Sequence, residues 1–152
     1  MIKFWIAGIP KPSGSKRGFV NKKTGRVIIT DAAGQPSKDW RYDCKKAAEA
    51  AMDGAPPLAG ALTLDVIFVM PRPKSHYRTG KNAGLIKPDA PFFCTTTPDA
   101  TKLTRGLEDS LTGIVWKDDA QVCVQYVRKL YDANPGAWVV VREAGLHWEE
   151  ME

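Results

Sequence analysis

Carboxylates and cations are the chemistry-bearing side chains of this sequence, and they are segregated. The first 30 residues carry Lys3, Lys11, Lys16, Arg17, Lys22, Lys23 and Arg26 and no acid. Residues 71–98 carry Arg72, Lys74, Arg78, Lys81 and Lys87 against Asp89 alone. The acids gather after them, at Asp99, Glu108, Asp109, Asp118 and Asp119, and again at the end in Glu149, Glu150 and Glu152. A basic surface with a separate acidic cluster suits a polyanion that must also meet a divalent cation. Basic loops that are merely solvated are the competing explanation. The cation-rich segments hold Lys11, Ser13, Lys16 and Arg17 before the acids, and Arg72, Lys74, His76, Tyr77 and Arg78 closer to them. Such residues track a phosphate backbone, and flat rings among them (Phe19, Tyr77, Phe92, Phe93) could stack on unpaired bases. The more ordinary expectation packs Phe19 on a sheet and plugs Phe92 and Phe93 into the core. His76 reads as a loop histidine before it reads as a general base.

Other chemistries are excluded by type and spacing. Cys44, Cys94 and Cys123 are scattered, and two histidines are too few for a zinc site. They read as buried or incidental thiols of a reducing compartment, so a cytoplasmic protein is expected. No Gly-rich phosphate loop and no nucleophilic Ser or Cys triad pattern is present. No run approaches ~18 apolar residues, which argues against a membrane span. The apolar N-terminal stretch breaks at Pro10 and Pro12, which argues against a secretory signal. With 152 residues, 43% hydrophobic, 26% charged and a net charge of +5, the chain fits one soluble domain.

The elements that must position these residues follow from periodicity. Residues 2–9 read as a strand. Residues 18–30 read as a hairpin, with Lys23-Thr24-Gly25 supplying the turn. Residues 37–53 read as a helix capped by Ser37, with an apolar stripe of Trp40, Cys44, Ala47, Ala48 and Ala51, stopped at Gly54. Residues 61–70 alternate as a strand with Leu62, Leu64, Val66, Phe68 and Met70 on one side. Residues 71–98 show no periodicity and read as a long functional loop. Residues 99–112 read as a helix on Leu103, Leu107 and Leu111, closed by Gly113. Residues 121–131 and 137–142 read as strands, joined into a hairpin by Asn134-Pro135-Gly136. Trp5, Trp40, Trp116 and Trp138 read as core. The order β-ββ-α-β-α-ββ predicts a single α+β domain with two helices on one face of a mixed sheet, followed by an acidic tail over about 144–152.

Two motifs in order carry a resemblance. Thr97-Pro98-Asp99-Ala100-Thr101-Lys102-Leu103-Thr104-Arg105 runs on to Asp109-Ser110-Leu111, and Trp116-Lys117-Asp118-Asp119-Ala120-Gln121-Val122 follows. Together they resemble the RusA-type family of four-way (Holliday) junction endonucleases. That family shows a Pro-Asp-x-Asp-Asn-Leu-x-Lys helix start, then Asp-Ala-Leu, then Asp-Asp-Ala-Gln-Val opening a strand. Pro10 to Ser13, Gln35 to Arg41 and Arg72 to His76 add weaker likeness.

The resemblance implies a metal-dependent endodeoxyribonuclease, acting as a homodimer on the near two-fold four-way junction, of phage or prophage origin. It implies Asp99 and Asp119 as metal-binding carboxylates with Asp118 beside them. A helix start and a strand start could converge to hold magnesium, or manganese in its place, through hard oxygen ligands. The second acid of the family's Asp-x-Asp is here Thr101, its Asn is Lys102 and its Lys is Arg105. Thr101 and Arg105 share a helical face. Arg105 can clamp a phosphate or stabilise charge in a transition state, but cannot shuttle a proton; a salt bridge to Asp109 is its ordinary alternative. Lys102 adds positive charge where the family is neutral, which could offset or replace a metal's role, and it is a candidate DNA contact. These departures bear on catalysis more than on fold or DNA binding. The rival reading is a junction-binding module with a weakened metal site, and a small protein-interaction domain stands third.

Overall fold

The structure, a computed structural model, describes residues 1–14, 16–32 and 34–145. Its strands and helices are β1 (Ile2–Ala7), β2 (Lys16–Val20), β3 (Val27–Asp31), α1 (Gly34–Met52), β4 (Leu62–Pro71), α2 (Ala100–Leu111), β5 (Val122–Asp132) and β6 (Gly136–Glu143). The predicted α+β order holds. Glu149, Glu150 and Glu152 of the acidic tail lie outside the described residues.

The main sheet has strand order β1-β6-β4-β5, and β2 with β3 forms a separate two-stranded ribbon. β4, the most apolar strand, takes an interior position, antiparallel to β6 and parallel to β5. This corrects the expected β5–β6 hairpin. The chain leaves β5 at Asp132 beside Pro71, crosses the end of β4, and returns from Gly136 opposite Val69. The parallel β4–β5 pair requires a long crossover, and residues 72–121 with α2 provide it. At the β1–β6 seam, Ala7 faces Gly136, where a Cβ would lie 2.2 Å from the Trp5 ring, so only glycine fits.

The alternation in β4 puts Leu62, Leu64, Val66, Phe68 and Met70 into the core with Phe4, Ile6, Val139 and Val141. α1 contributes Trp40, Cys44, Ala48 and Met52 from one stripe. It starts three residues earlier than the sequence suggests, because Pro36 is tolerated in a first turn; Ser37 is buried within the helix instead of capping it. α2 buries Leu103, Leu107 and Leu111 completely, each worth about 1.5–3 kcal/mol of transfer free energy. Gly113, at φ +85°, turns the chain after it. Trp40 and Trp116 are core as expected, but Trp5 and Trp138 are not. Their rings meet 5.1 Å apart on the helix-free face of the sheet, and Trp138 is 43% exposed.

Residues 71–98 are more ordered than their lack of periodicity suggests. Single 3-10 turns occur at Lys74–His76 and Gly80–Asn82. Tyr77 bridges Ile86, and Lys87 N–H donates to the His76 carbonyl. Further on, Cys94 N–H donates to Lys129 O and Tyr131 N–H to Phe92 O, so this segment covers part of the β5 edge. These hydrogen bonds are made at scattered backbone positions, which leave no side-chain period to read. Among the described residues, no helix is long and apolar enough to cross a membrane.

Candidate nucleic-acid interface

The start of α2 is the best-organised polar corner of the molecule. Lys129, on β5, donates from Nζ to the Thr96 carbonyl and, at 2.7 Å, to the Pro98 carbonyl, which fixes the chain entering the helix. Asp99 then occupies the N-cap position, but its side chain makes no capping hydrogen bond. Its exposed carboxylate instead faces Lys102 Nζ at 3.6 Å. The Pro10–Ser13 loop lies alongside, with Ser13 N–H donating to the Lys102 carbonyl at 3.3 Å. Gly106 makes that approach possible, since a Cβ there would sit 3.1 Å from the Ser13 nitrogen. The result is a groove of about 520 Å³ bounded by Lys11, Pro12, Pro71, Pro98, Asp99 and Lys102. Two lysines flanking one carboxylate make a corner suited to a phosphodiester, because the cations neutralise its charge as they position it.

Lys11, Ser13, Asp99 and Lys102 are therefore brought together. Thr101 and Arg105 are not with them. They share a face, as their spacing implies, but it lines a second groove of about 350 Å³ between α2 and β5, with Glu108 and Gln125. Among the described residues Arg105 has no salt-bridge partner, so the alternative pairing with Asp109 is not formed. Glu108 is a site residue that the sequence reading left in the background. Burial, then the nearby Asp119 and Asp109, push its carboxyl above the ordinary range, while a hydrogen bond from Gln125 pulls the other way.

Asp118 and Asp119 lie at the opposite end of α2. The helix runs antiparallel to β5, with Pro98 beside Lys129 at one end and Glu108 beside Gln125 towards the other. From Asp99 to Glu108, which lies near Asp119, the chain rises about 14 Å along the helix axis. The expected convergence of helix start and strand start does not occur within one chain. A strand that pairs parallel to β4 starts at the same end of the sheet as β4 does, whereas α2 starts at the other. The Asp118 carboxylate is committed to a turn, accepting from Ala120 N–H at 2.9 Å, while Gln121 Oε1 accepts from Lys117 and Asp118 N–H. Among the described residues, no group of three His, Cys, Asp or Glu side chains is arranged to hold a metal. Among the described residues, the donors of one chain do not fit a magnesium or manganese centre built on Asp99, Asp118 and Asp119.

The remaining candidates divide. Arg72 is a structural strut: Nη1 donates to Pro91 O at 2.8 Å and Nη2 to Tyr131 O at 3.5 Å, with the guanidinium over the Tyr131 ring. His76 stands edge-on to the same ring. Lys74 and Arg78 are exposed, as are Lys16 and Arg17 on β2. Phe92 and Phe93 do not plug the core. Each is 59% exposed, with their rings 5.1 Å apart, and Phe19 is 52% exposed away from the main sheet. Of the cysteines, Cys44 and Cys94 are buried and Cys123 is exposed. Burial drives the Cys44 thiol far above its ordinary value. Lys129 and Gly106 were missed by the sequence reading; each acts through backbone contacts that no local pattern announces.

Comparison with known proteins places the chain in a family. A relative, the uncharacterized protein YqaN of Bacillus subtilis (strain 168), is 32% identical, over 93% of this chain and 96% of its own length. The family described as endodeoxyribonuclease RusA matches residues 10–142, a span that takes in the Pro10–Ser13 loop, the α2 motif, the Trp116–Val122 motif that leads into β5, and every strand except β1 and the last residue of β6. By that match the chain belongs to the RusA endodeoxyribonuclease family, whose activity is that of junction-resolving endonucleases.

Proposed function

We propose that this protein recognises four-way branched DNA and hydrolyses its phosphodiesters symmetrically, as a homodimer in the cytoplasm of a bacterial or phage-infected cell. The observation that carries the reading is the meeting of Lys11, Asp99 and Lys102 in one groove at the start of α2, with Ser13 N–H bound to the Lys102 carbonyl beside it. A phosphate held between Lys11 and Lys102 lies against Asp99, and Lys16, Arg17, Lys74 and Arg78 extend the cationic surface along the duplex arms. A two-fold dimer presents two such corners to the two strands a junction must have cut. Dependence on magnesium or manganese is part of the proposal, and any such ion at Asp99 needs donors beyond those that one chain assembles there.

A second reading, junction binding without cleavage, is favoured by a specific observation. Asp99 is ion-paired to Lys102, and Thr101, where the family has a carboxylate, lines a different groove. Incubation of a synthetic four-way junction with the protein, with and without Mg²⁺ or Mn²⁺, separates the two. Paired symmetric nicks that require the cation support the nuclease. A stable shift with no nicks under any condition supports the binding module. Neither shift nor nicks refutes both.

A further inference from the structure

Among the described residues, most of the β2–β3 ribbon stands open to solvent, with only Ile28 part-buried. All five residues of Lys16–Val20 are exposed. Apolar side chains stand open on both of its faces: Val20 (59% exposed), Val27 (66%) and Ile29 (67%) on one, and Phe19 on the other. An isolated two-stranded hairpin is at best marginally stable in water, and exposed β-branched residues in a ribbon mark a surface that meets something. Its tip is nevertheless ordered. Asn21 N–H donates to Arg26 O at 2.9 Å, the Asn21 side chain accepts from Lys23 N–H at 2.9 Å, and Gly25 takes φ +67°. That turn presents Lys22, Lys23 and Arg26 together, with Lys16 and Arg17 at the base and Asp31, the register partner of Lys16, as the ribbon's one acid.

We propose that this ribbon enters the major groove of a duplex arm of branched DNA, an inference that rests on the DNA-binding reading above. A two-stranded ribbon is one of the two protein elements that the major groove admits. Five residues per strand extend about 17 Å, more than the ~12 Å groove width, so the tip cations reach the phosphates that border it. The Val20, Val27 and Ile29 face then lies on the base edges, where apolar side chains meet thymine methyl groups. The charge decides the occupant. A second copy of this chain carries the same cationic ribbon and a net charge of +5, so ribbon-to-ribbon packing sets like charges against each other, whereas DNA neutralises them.

Dimethyl sulfate, which methylates guanine N7 in the major groove, reports the contact on a four-way junction saturated with the full-length protein. The wild type is expected to protect arm guanines. A Lys22→Ala, Lys23→Ala, Arg26→Ala variant is expected to bind at least about tenfold more weakly near 0.1 M salt, with a shallower salt slope, about 0.9 log unit per lost phosphate contact. A Val20→Ser, Ile29→Ser variant, still bound at saturation and with unchanged thermal stability, is expected to lose the N7 protection. Junction binding by the wild type without N7 protection, or equal affinity and protection in both variants, overturns the ribbon proposal and leaves DNA binding standing. Failure of the wild type to bind any DNA at low salt removes the underlying reading and the proposal with it. Sedimentation showing that the Val20→Ser, Ile29→Ser variant loses self-association, with DNA contacts intact, assigns the ribbon to a second copy and also overturns the proposal.

Discussion

Asp99 and Lys102 sit 3.6 Å apart on the first turn of α2, exposed to solvent. An ion pair of that kind contributes at most about 1 kcal/mol, so its value lies in function. Asp99→Asn keeps the shape, removes the charge and leaves Lys102 free. Junction cleavage should fall at least about a hundredfold while junction affinity holds or rises, measured by nicking and gel shift side by side; unchanged cleavage would make Asp99 an ordinary first-turn acid. Arg72 and its neighbours separate in the same way. Arg72→Ala should destabilise the fold by on the order of 1–3 kcal/mol, because charge-assisted bonds to Pro91 O and Tyr131 O are lost. Lys74→Ala and Arg78→Ala should each stay within about ±0.5 kcal/mol, and should weaken DNA binding instead. Chemical denaturation of the three variants tests this. From the sequence all three arginines and lysines looked alike, since what sets Arg72 apart is a pair of carbonyls that folding delivers from 19 and 59 residues away.

α2 carries the site, and two features of it were hidden in the sequence. Gly106 stands in a helix interior, where glycine is unfavourable by roughly 1 kcal/mol relative to alanine. The close pass of Ser13 explains it. Gly106→Leu should push the Pro10–Ser13 loop off the helix and weaken junction binding, with the helix itself retained by circular dichroism. At the other end, Glu108 holds its proton above the ordinary carboxylate range, so its ionisation works against the folded state. The penalty is absent at pH values below the unfolded carboxyl range, grows as pH rises through it and is complete above the folded value. Glu108→Gln should therefore raise thermal stability at pH 7 and leave it unchanged below about pH 4; a wild-type advantage at neutral pH would contradict the cause assigned to the shift. The helix, its apolar stripe and β4 were legible because each is a local period. The direction of α2 relative to β5, which parts Asp99 from Asp119, was not, because strand order is set by which strand takes an interior position in the sheet, and the short Ala133–Pro135 link reads as a hairpin turn.

At the scale of the whole molecule, the charge segregation seen along the chain survives folding in part. The Lys11–Lys102 corner and the β2–β3 ribbon are cationic, while Glu108, Asp109 and Asp119 collect at the far end of α2. Binding should accordingly be steeply salt-dependent, weakening by orders of magnitude between ~50 and ~200 mM salt if six or more phosphates are neutralised; a flat response in a titration would remove the polyanion reading. The most direct measurement of junction recognition is competition: a labelled four-way junction displaced by unlabelled junction or by linear duplex of the same arm sequences, at ~0.1 M salt, with wild type and with Lys11→Ala, Lys102→Ala. Recognition of branched DNA at the α2 corner predicts that the junction competes at least about tenfold better than duplex and that the double variant loses most of this preference. Equal competition by duplex and junction, or a double variant indistinguishable from wild type, contradicts it.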